Sequence, residues 1–363
     1  MAPSFSRLGH GPFKAGIRVR VSLGSLANEP PFRHVVRAAR FFMGAHAVYI
    51  LLVFNLSDRA MSKKDFFQTV YSDDLRADMR DLLALAIRED SGTEGDITSL
   101  SLIPDDVPGK AAVVAREHGV VAGLVFAQEL LQTVDPRLVW EGKVEDGATV
   151  EKGDVLGVVS GPTLAMLTAE RLLLNLVGRL SGVASLTRKY VDAIEGTGAR
   201  IYDTRKTTLG WRRLEKYAVR CGGGCNHRSG LYDAILIKDN HLAFGGISDF
   251  GPAEAVRRAR KFLETRYAGR EIPMLEIEVD SLEQLAQVLP ENPDVVLLDN
   301  MSPETMREAV KMREEAKSTA ELEASGGINL ETCRAKAESG VERVSVGALT
   351  HSAKTFDIGL DWI

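Results

Sequence analysis

The chain has 363 residues and a formal net charge of −5, which leaves room for two domains and suggests neither a nucleic-acid nor a membrane partner. Its 45% hydrophobic and 26% charged residues are ordinary for a soluble globular protein. Three cysteines (Cys221, Cys225, Cys333) exclude a disulfide framework and fit the reducing cytoplasm; Cys221 and Cys225 lack a second Cys/His pair at ligand spacing, which argues against a structural zinc.

Residues 1–60 differ from the rest. They carry eight Lys and Arg against Glu29 and Asp58, a net of +6, leaving −11 for the remainder. Their apolar run, "FFMGAHAVYILLVF" (Phe41–Phe54), is shorter than the roughly 20 residues of a membrane span and is interrupted by Gly44 and His46. It also begins late for a secretory signal. The Arg-rich, acid-poor character is like that of an organellar transit peptide, but "MSKKDFFQTVYSDDLRADMRDLL" from Met61 reads as an ordinary N-terminus. Residues 1–60 are therefore read as an upstream extension outside the fold.

From Asp73 to about Asp90, Leu75, Met79, Leu82, Leu83, Leu85 and Ala86 recur at helical spacing. After Pro104, "KAAVVAREHGVVAG" predicts a strand, a turn and a helix entry, and "RLVWEGKVEDGATVEKGDVLGVVSG" predicts strands broken at glycines. A long leucine-rich helix is predicted from about Leu164 to Ile194, with Arg171 among its apolar residues. Beyond Gly198 come six strands, in "ARIYDTR", "DAILIKDN", "PMLEIEVD", "DVVLLDN", "AELEASGG" and "VERVSVGAL", the last four separated by helical segments. Consecutive βα units of this kind close into a parallel barrel.

These strands end in polar or glycine positions: Asp203–Lys206, Lys238–Asn240, Glu276 and Glu278, Asp299–Asn300, Ser325–Gly327 and Gly347. In a barrel such ends share one rim, where active sites lie. The stretch from Asp203 to His241 holds eight Lys/Arg and the triple glycine Gly222–Gly224. Arginine forks match carboxylate and phosphate oxygens, and glycines let backbone N–H groups approach them. The rim thus offers several anion seats. Two more follow the last strands, at Ser325–Gly327 and Val346–Leu349. Glu278 and Asp299 among these cations suit Mg²⁺ held with phosphate oxygens, or ribose hydroxyls. Together the residues fit a phosphorylated sugar, a second anionic substrate and a divalent metal.

"DTRKTT", "EKYAVRCGGGCNHRSGLYDAILIKDNH", "EIEVDSLEQL", "VVLLDN", "ASGGI" and "VSVGALTHSAKTFDIGLD", in this order, closely resemble quinolinate phosphoribosyltransferase, over roughly Leu75 to Trp362. The resemblance implies an α/β protein with an N-terminal α/β sandwich-like domain (61–180) and an incomplete, seven-stranded α/β barrel (181–350). Residues 351–363 are expected to return to the N-terminal domain. It further implies transfer of phosphoribosyl from phosphoribosyl pyrophosphate to quinolinate with decarboxylation, and Mg²⁺ as cofactor.

By the same matching, Arg205, His227, Arg228 and Lys238 correspond to quinolinate-side cations. Lys206, Glu278 and Asp299 correspond to the catalytic groups around phosphoribosyl pyrophosphate and Mg²⁺, and Ser325, Gly326 and Gly347 to the 5′-phosphate seat. A homodimer is implied in which Arg171 reaches the neighbouring site; its apolar surroundings suggest a buried guanidinium that needs a partner. Higher assembly is left open. Leu209 and Trp211 depart from the family pattern, which often has Pro and Leu there. The rival readings are a Schiff-base enzyme using Lys238, a phosphoribosyltransferase for another aromatic acid, and a non-catalytic anion-binding barrel.

Overall fold

The structure is a computed structural model that describes residues 64–244 and 250–363; the extension and its apolar run lie outside the described residues. After a short extended segment, helix α1 (Asp73–Ser91) begins where the Ser72 side chain accepts from the Leu75 amide, and it buries Leu75, Met79 and Leu83. Helix α2 (Ile97–Leu102) is capped likewise by Asp96. There follow β1 (Pro108–Ala115), β2 (Gly119–Val120), α3 (Ala127–Val134), β3 (Val139–Gly142), β4 (Thr149–Val150) and β5 (Val155–Pro162). Helix α4 (Thr163–Ala193) then runs for 31 residues, close to the predicted span.

The second half alternates β6 (Arg200–Tyr202), α5 (Arg212–Cys221), β7 (Ala234–Ile237), α6 (Asp239–Ala243), α7 (Pro252–Arg266), β8 (Met274–Val279), α8 (Leu282–Val288), β9 (Val295–Asp299), α9 (Pro303–Glu315), β10 (Glu321–Ser325), α10 (Cys333–Ala337), β11 (Arg343–Ser345) and α11 (Ala348–His351), ending in β12 (Ile358–Trp362). Among the described residues no helix is long and apolar enough to cross a membrane.

Two main sheets organise the chain. The N-terminal one is four-stranded and antiparallel, in the order β12-β1-β5-β3. The last strand reaches β1 because the 353–356 segment crosses α4 closely: the Phe356 amide donates to the Gly178 carbonyl at 2.9 Å. A Cβ on Gly182 would lie 1.9 Å from the Lys354 carbonyl oxygen, so only glycine permits this crossing. The second sheet is parallel, in the order β6-β11-β10-β9-β8-β7. A seventh strand position is reduced to one parallel bridge, Tyr202 with Cys225, on the outer side of β6.

The inward face of this barrel is polar. The register aligns Glu321 with Val295, Glu323 with Leu297 and Ser325 with Asp299, while Glu276 and Glu278 face Val295 and Leu297. Since alternate residues share a face, Glu321, Glu323 and Ser325 rise on one side of β10, and Glu276 and Glu278 on one side of β8. Glu276 therefore lies inside the barrel, fully buried, rather than at the strand end expected from sequence.

Candidate functional site

The loop after β6 carries Thr204, Arg205 and Lys206. It is fixed from below by the buried Glu215 of α5, whose carboxylate accepts from the Thr208 amide at 3.0 Å and the Thr208 hydroxyl at 2.8 Å. Arg179 of α4 pairs with Glu215 at 2.5 Å and donates to the Ala353 carbonyl at 3.0 Å. Lys206 lies against the loop after β11: a Cβ on Gly347 would meet its Cδ at 3.0 Å, and its carbonyl accepts from the Thr350 hydroxyl at 2.8 Å.

The segment Cys225–Arg228 is held more tightly still. Asp203 and Lys216, both fully buried, form an ion pair. Burial is the larger influence on each, pushing the carboxyl up and the ammonium down against their mutual attraction. Asp203 also accepts from the His227 amide at 2.9 Å and the Asn226 side chain at 2.7 Å, and Lys216 donates to the His227 carbonyl at 2.8 Å.

Arg228 is buried, and burial first, then the charge of Arg205, pulls its guanidinium pKa down. Neither Arg205 nor Arg228 makes a side-chain ion pair among the described residues, and the buried Arg205 Nε has no hydrogen-bond partner. Two neighbouring guanidiniums that make no ion pair among the described residues suit a multiply charged anion. Across the mouth, Lys238 pairs with Glu278, a commitment that does not suit a Schiff-base lysine. Asp299 and Ser325 are half-buried partners on the same rung of β9 and β10, and Gly326 follows with φ 85°. The structure thus brings Lys206 beside Gly347, Arg205 beside Arg228 and Lys238 beside Glu278.

Arg171 lies elsewhere and corrects its expected environment. Its side chain is 67% exposed, with Glu170 3.4 Å away. It lines a 290 Å³ cavity with Met79, Leu82, Asp90, Leu172 and Trp211, to which none of the barrel-mouth residues contributes. The helix buries Leu172, Leu173 and Leu174; the arginine emerges from the opposite face.

His227 is buried behind the mouth. Its Nε2 stands 2.9 Å from Glu276 Oε2 and 3.5 Å from Glu323 Oε1, yet all four carboxylate oxygens are buried without an aligned hydrogen bond. Burial alone favours the neutral imidazole; Glu276 and Glu323 outweigh it and hold its pKa above the ordinary value. Burial and then Glu276 push Glu323 up to about 7. The three residues bring ligand atoms within 4.8 Å of one another, a spacing open to a metal. The hydrogen bonding argues against one: the Arg228 amide donates to His227 Nδ1 at 2.8 Å, so in the neutral ring Nδ1 is the acceptor and the proton sits on Nε2, facing the carboxylates. A metal-ligating Nε2 would instead need Nδ1 to carry the proton.

Residues 96–181 match the family model "Quinolinate phosphoribosyl transferase, N-terminal domain", and residues 183–361 match "Quinolinate phosphoribosyl transferase, C-terminal domain". Nicotinate-nucleotide pyrophosphorylase [carboxylating] of Mycobacterium leprae (strain TN) is 44% identical over 286 residues, 78% of this chain and 96% of that one. The chain belongs to the quinolinate phosphoribosyl transferase family. The probable nicotinate-nucleotide pyrophosphorylase [carboxylating] of Bacillus subtilis (strain 168) is 40% identical, covering 78% of this chain and 93% of its own. Among solved structures, the nicotinate-nucleotide pyrophosphorylase from Francisella tularensis superposes with a TM-score of 0.74 at 35% identity, over 82% of this chain and all of that one.

The sequence did not single out Lys216, Glu215, Glu323 or Asp65 as supports of the site. Only the E-x-E spacing of "LEIEV" and "ELEAS" could have signalled charged residues on one strand face.

Proposed function

We infer that the chain transfers the phosphoribosyl group of phosphoribosyl pyrophosphate to quinolinate with loss of CO₂, yielding nicotinate mononucleotide and pyrophosphate. The observation that carries this reading is the unpaired, partly buried couple Arg205–Arg228. A dicarboxylate neutralises two guanidiniums; a monocarboxylate leaves one unpaired in a desolvated place. On this reading Arg205, Arg228 and Lys238 bind the acid, and His227 fixes the Arg228 peptide. Ser325, Gly326 and Gly347 seat the 5′-phosphate.

The quinolinate nitrogen attacks C1 of the ribose as the C1–pyrophosphate bond breaks. The half-buried carboxylates of Glu278 and Asp299 then face a ring that gains positive charge, and Lys206 approaches the departing pyrophosphate. The bond from C2 to its carboxylate breaks next; CO₂ leaves, and the electron pair left at C2 takes up one proton.

Glu278 and Asp299 also fit Mg²⁺. Both are carboxylates at the mouth, and Asp299 makes no side-chain hydrogen bond among the described residues. Among the described residues they do not belong to any cluster of three or more ligands, and a cation held there would take most of its oxygens from phosphate and water. When bound, Mg²⁺ offsets the charge of the leaving pyrophosphate.

We assign the action to the cytoplasm, supported by three free cysteines. We also assign Arg171 to the neighbouring site of a homodimer, supported by its exposure and by its place on a cavity to which no barrel-mouth residue contributes.

The test is incubation of the protein with quinolinate, phosphoribosyl pyrophosphate and Mg²⁺. Nicotinate mononucleotide and pyrophosphate should appear, and nicotinate in place of quinolinate should react on the order of a hundredfold less well in kcat/KM. Equal use of the two acids would overturn the assignment of Arg205 and Arg228.

A further inference from the structure

The segment Lys64–Thr69 precedes α1 and the stretches matched by the family models, yet it runs into the barrel. Asp65 accepts from Arg343 and Arg200 at 3.0 Å each and from the Tyr202 hydroxyl at 2.9 Å. Phe66 is 5% exposed and stacks on the His227 ring, with centroids 4.2 Å apart and planes at 27°. Gln68 exchanges two hydrogen bonds with the backbone of Asn226: its Oε1 accepts from the Asn226 amide at 2.8 Å, and its Nε2 donates to the Asn226 carbonyl at 3.0 Å. The Thr69 amide donates to the Asn226 side chain at 2.7 Å.

The backbone groups from Cys225 to the Arg228 amide form a complete account. On one side they bond to β6 as a strand would, with the Cys225 amide to Ile201 at 2.7 Å and the Asp203 amide to the Cys225 carbonyl at 3.0 Å. Asp203, Lys216 and the His227 ring take the His227 amide, its carbonyl and the Arg228 amide. The two groups of Asn226 that remain would belong to the next strand of a closed barrel, and Gln68 takes both. Buried backbone groups must be paired, and here a side-chain amide stands in for a strand that the open barrel lacks. Phe66 at the same time fixes the plane of the ring that accepts from the Arg228 amide.

We propose that Lys64–Thr69 is a fixed strap of the catalytic barrel, in which Gln68 and Phe66 are positioning residues that set the orientation of His227 and Arg228 toward the acid substrate. The inference rests on the proposed function, in which Arg228 binds quinolinate. Neither residue reaches the phosphoribosyl side, where Lys206, Ser325 and Gly347 lie.

The test uses the full chain with Gln68→Ala, Gln68→Met, Phe66→Leu and, as a control on the same strap, Lys64→Ala, whose side chain bonds Pro273 and Asp294 instead. Initial rates with each substrate varied give both KM values. The Gln68 variants and Phe66→Leu should raise KM for quinolinate roughly tenfold, the scale of a lost hydrogen bond or stacked contact. KM for phosphoribosyl pyrophosphate should change less than about twofold, and Lys64→Ala should leave both unchanged. Gln68→Met keeps the volume without the amide, so it remains informative if Gln68→Ala does not fold. Unchanged quinolinate KM in folded Gln68 and Phe66 variants, even with a lowered melting temperature, would overturn the strap's positioning role. Equal shifts in both KM values would do the same. A wild-type chain inert toward quinolinate would overturn the functional reading and this inference with it.

Discussion

Glu323 is the residue whose burial is hardest to reconcile with a charge. It is fully buried, its oxygens lack hydrogen bonds, and Glu276 faces it across His227. A carboxyl whose folded pKa is raised to about 7 from 4.5 stabilises the fold while protonated. That contribution is complete below the ordinary glutamate range and is lost as pH rises toward 7. His227, also raised, acts in the same direction, since it too favours the protonated form of the cluster. Glu323→Gln fixes the neutral state. In denaturant unfolding the variant should match wild type near pH 5 and exceed it near pH 8. Parallel pH profiles for the two proteins would show that Glu323 is not the titrating group.

At the scale of elements, the turn into α5 shows how a departure from the family pattern is tolerated. Thr208, Leu209, Gly210 and Trp211 form a turn closed by the Trp211 amide on the Thr208 carbonyl at 3.1 Å, with Gly210 at φ 80°. That is the type II arrangement, in which the third residue must accept positive φ and the second is often proline. Glycine supplies the demanding position, so Leu209, 90% exposed, can stand where proline is usual. Leu209→Pro should therefore stabilise the protein by about 0.4–1 kcal/mol, mainly by restricting the unfolded chain. A lower denaturant midpoint for the variant would mean that residue 209 does not have the φ of a type II turn.

The same region shows what could be read from sequence. The strands of the barrel were legible because their apolar runs end abruptly in charge or glycine, and α1 and α4 because their leucines keep a helical period. In helix α5, Leu214, Tyr217, Ala218 and Cys221 keep the helical period, but the burial of Glu215 and Lys216 beside them was not legible, because their partners Arg179 and Asp203 come from other elements. Rim residues such as Lys206, Lys238 and Asp299 were legible from their place after strands. The strap was not, since its hydrogen bonds to the barrel span more than a hundred residues and no local period records them.

At the scale of the whole molecule, the open question is what the exposed Arg171 and the cavity beside it serve. A guanidinium with 67% of its surface in water and one partner at 3.4 Å contributes little to stability, so Arg171→Ala should leave the melting temperature nearly unchanged. If the arginine completes the neighbouring barrel of a two-fold dimer, Arg171→Ala should nonetheless damage quinolinate turnover. Arg205→Ala should do so from the barrel side. Each homodimer then has two defective sites. In a mixed dimer both defects fall on one site, and the other receives an intact Arg171 and an intact Arg205. Mixing the two inactive variants under subunit exchange should restore activity, up to about half the sites of each heterodimer, as two-fold symmetry requires. Heterodimers demonstrated by differential tagging but lacking activity would assign Arg171 to its own subunit or to the surface alone.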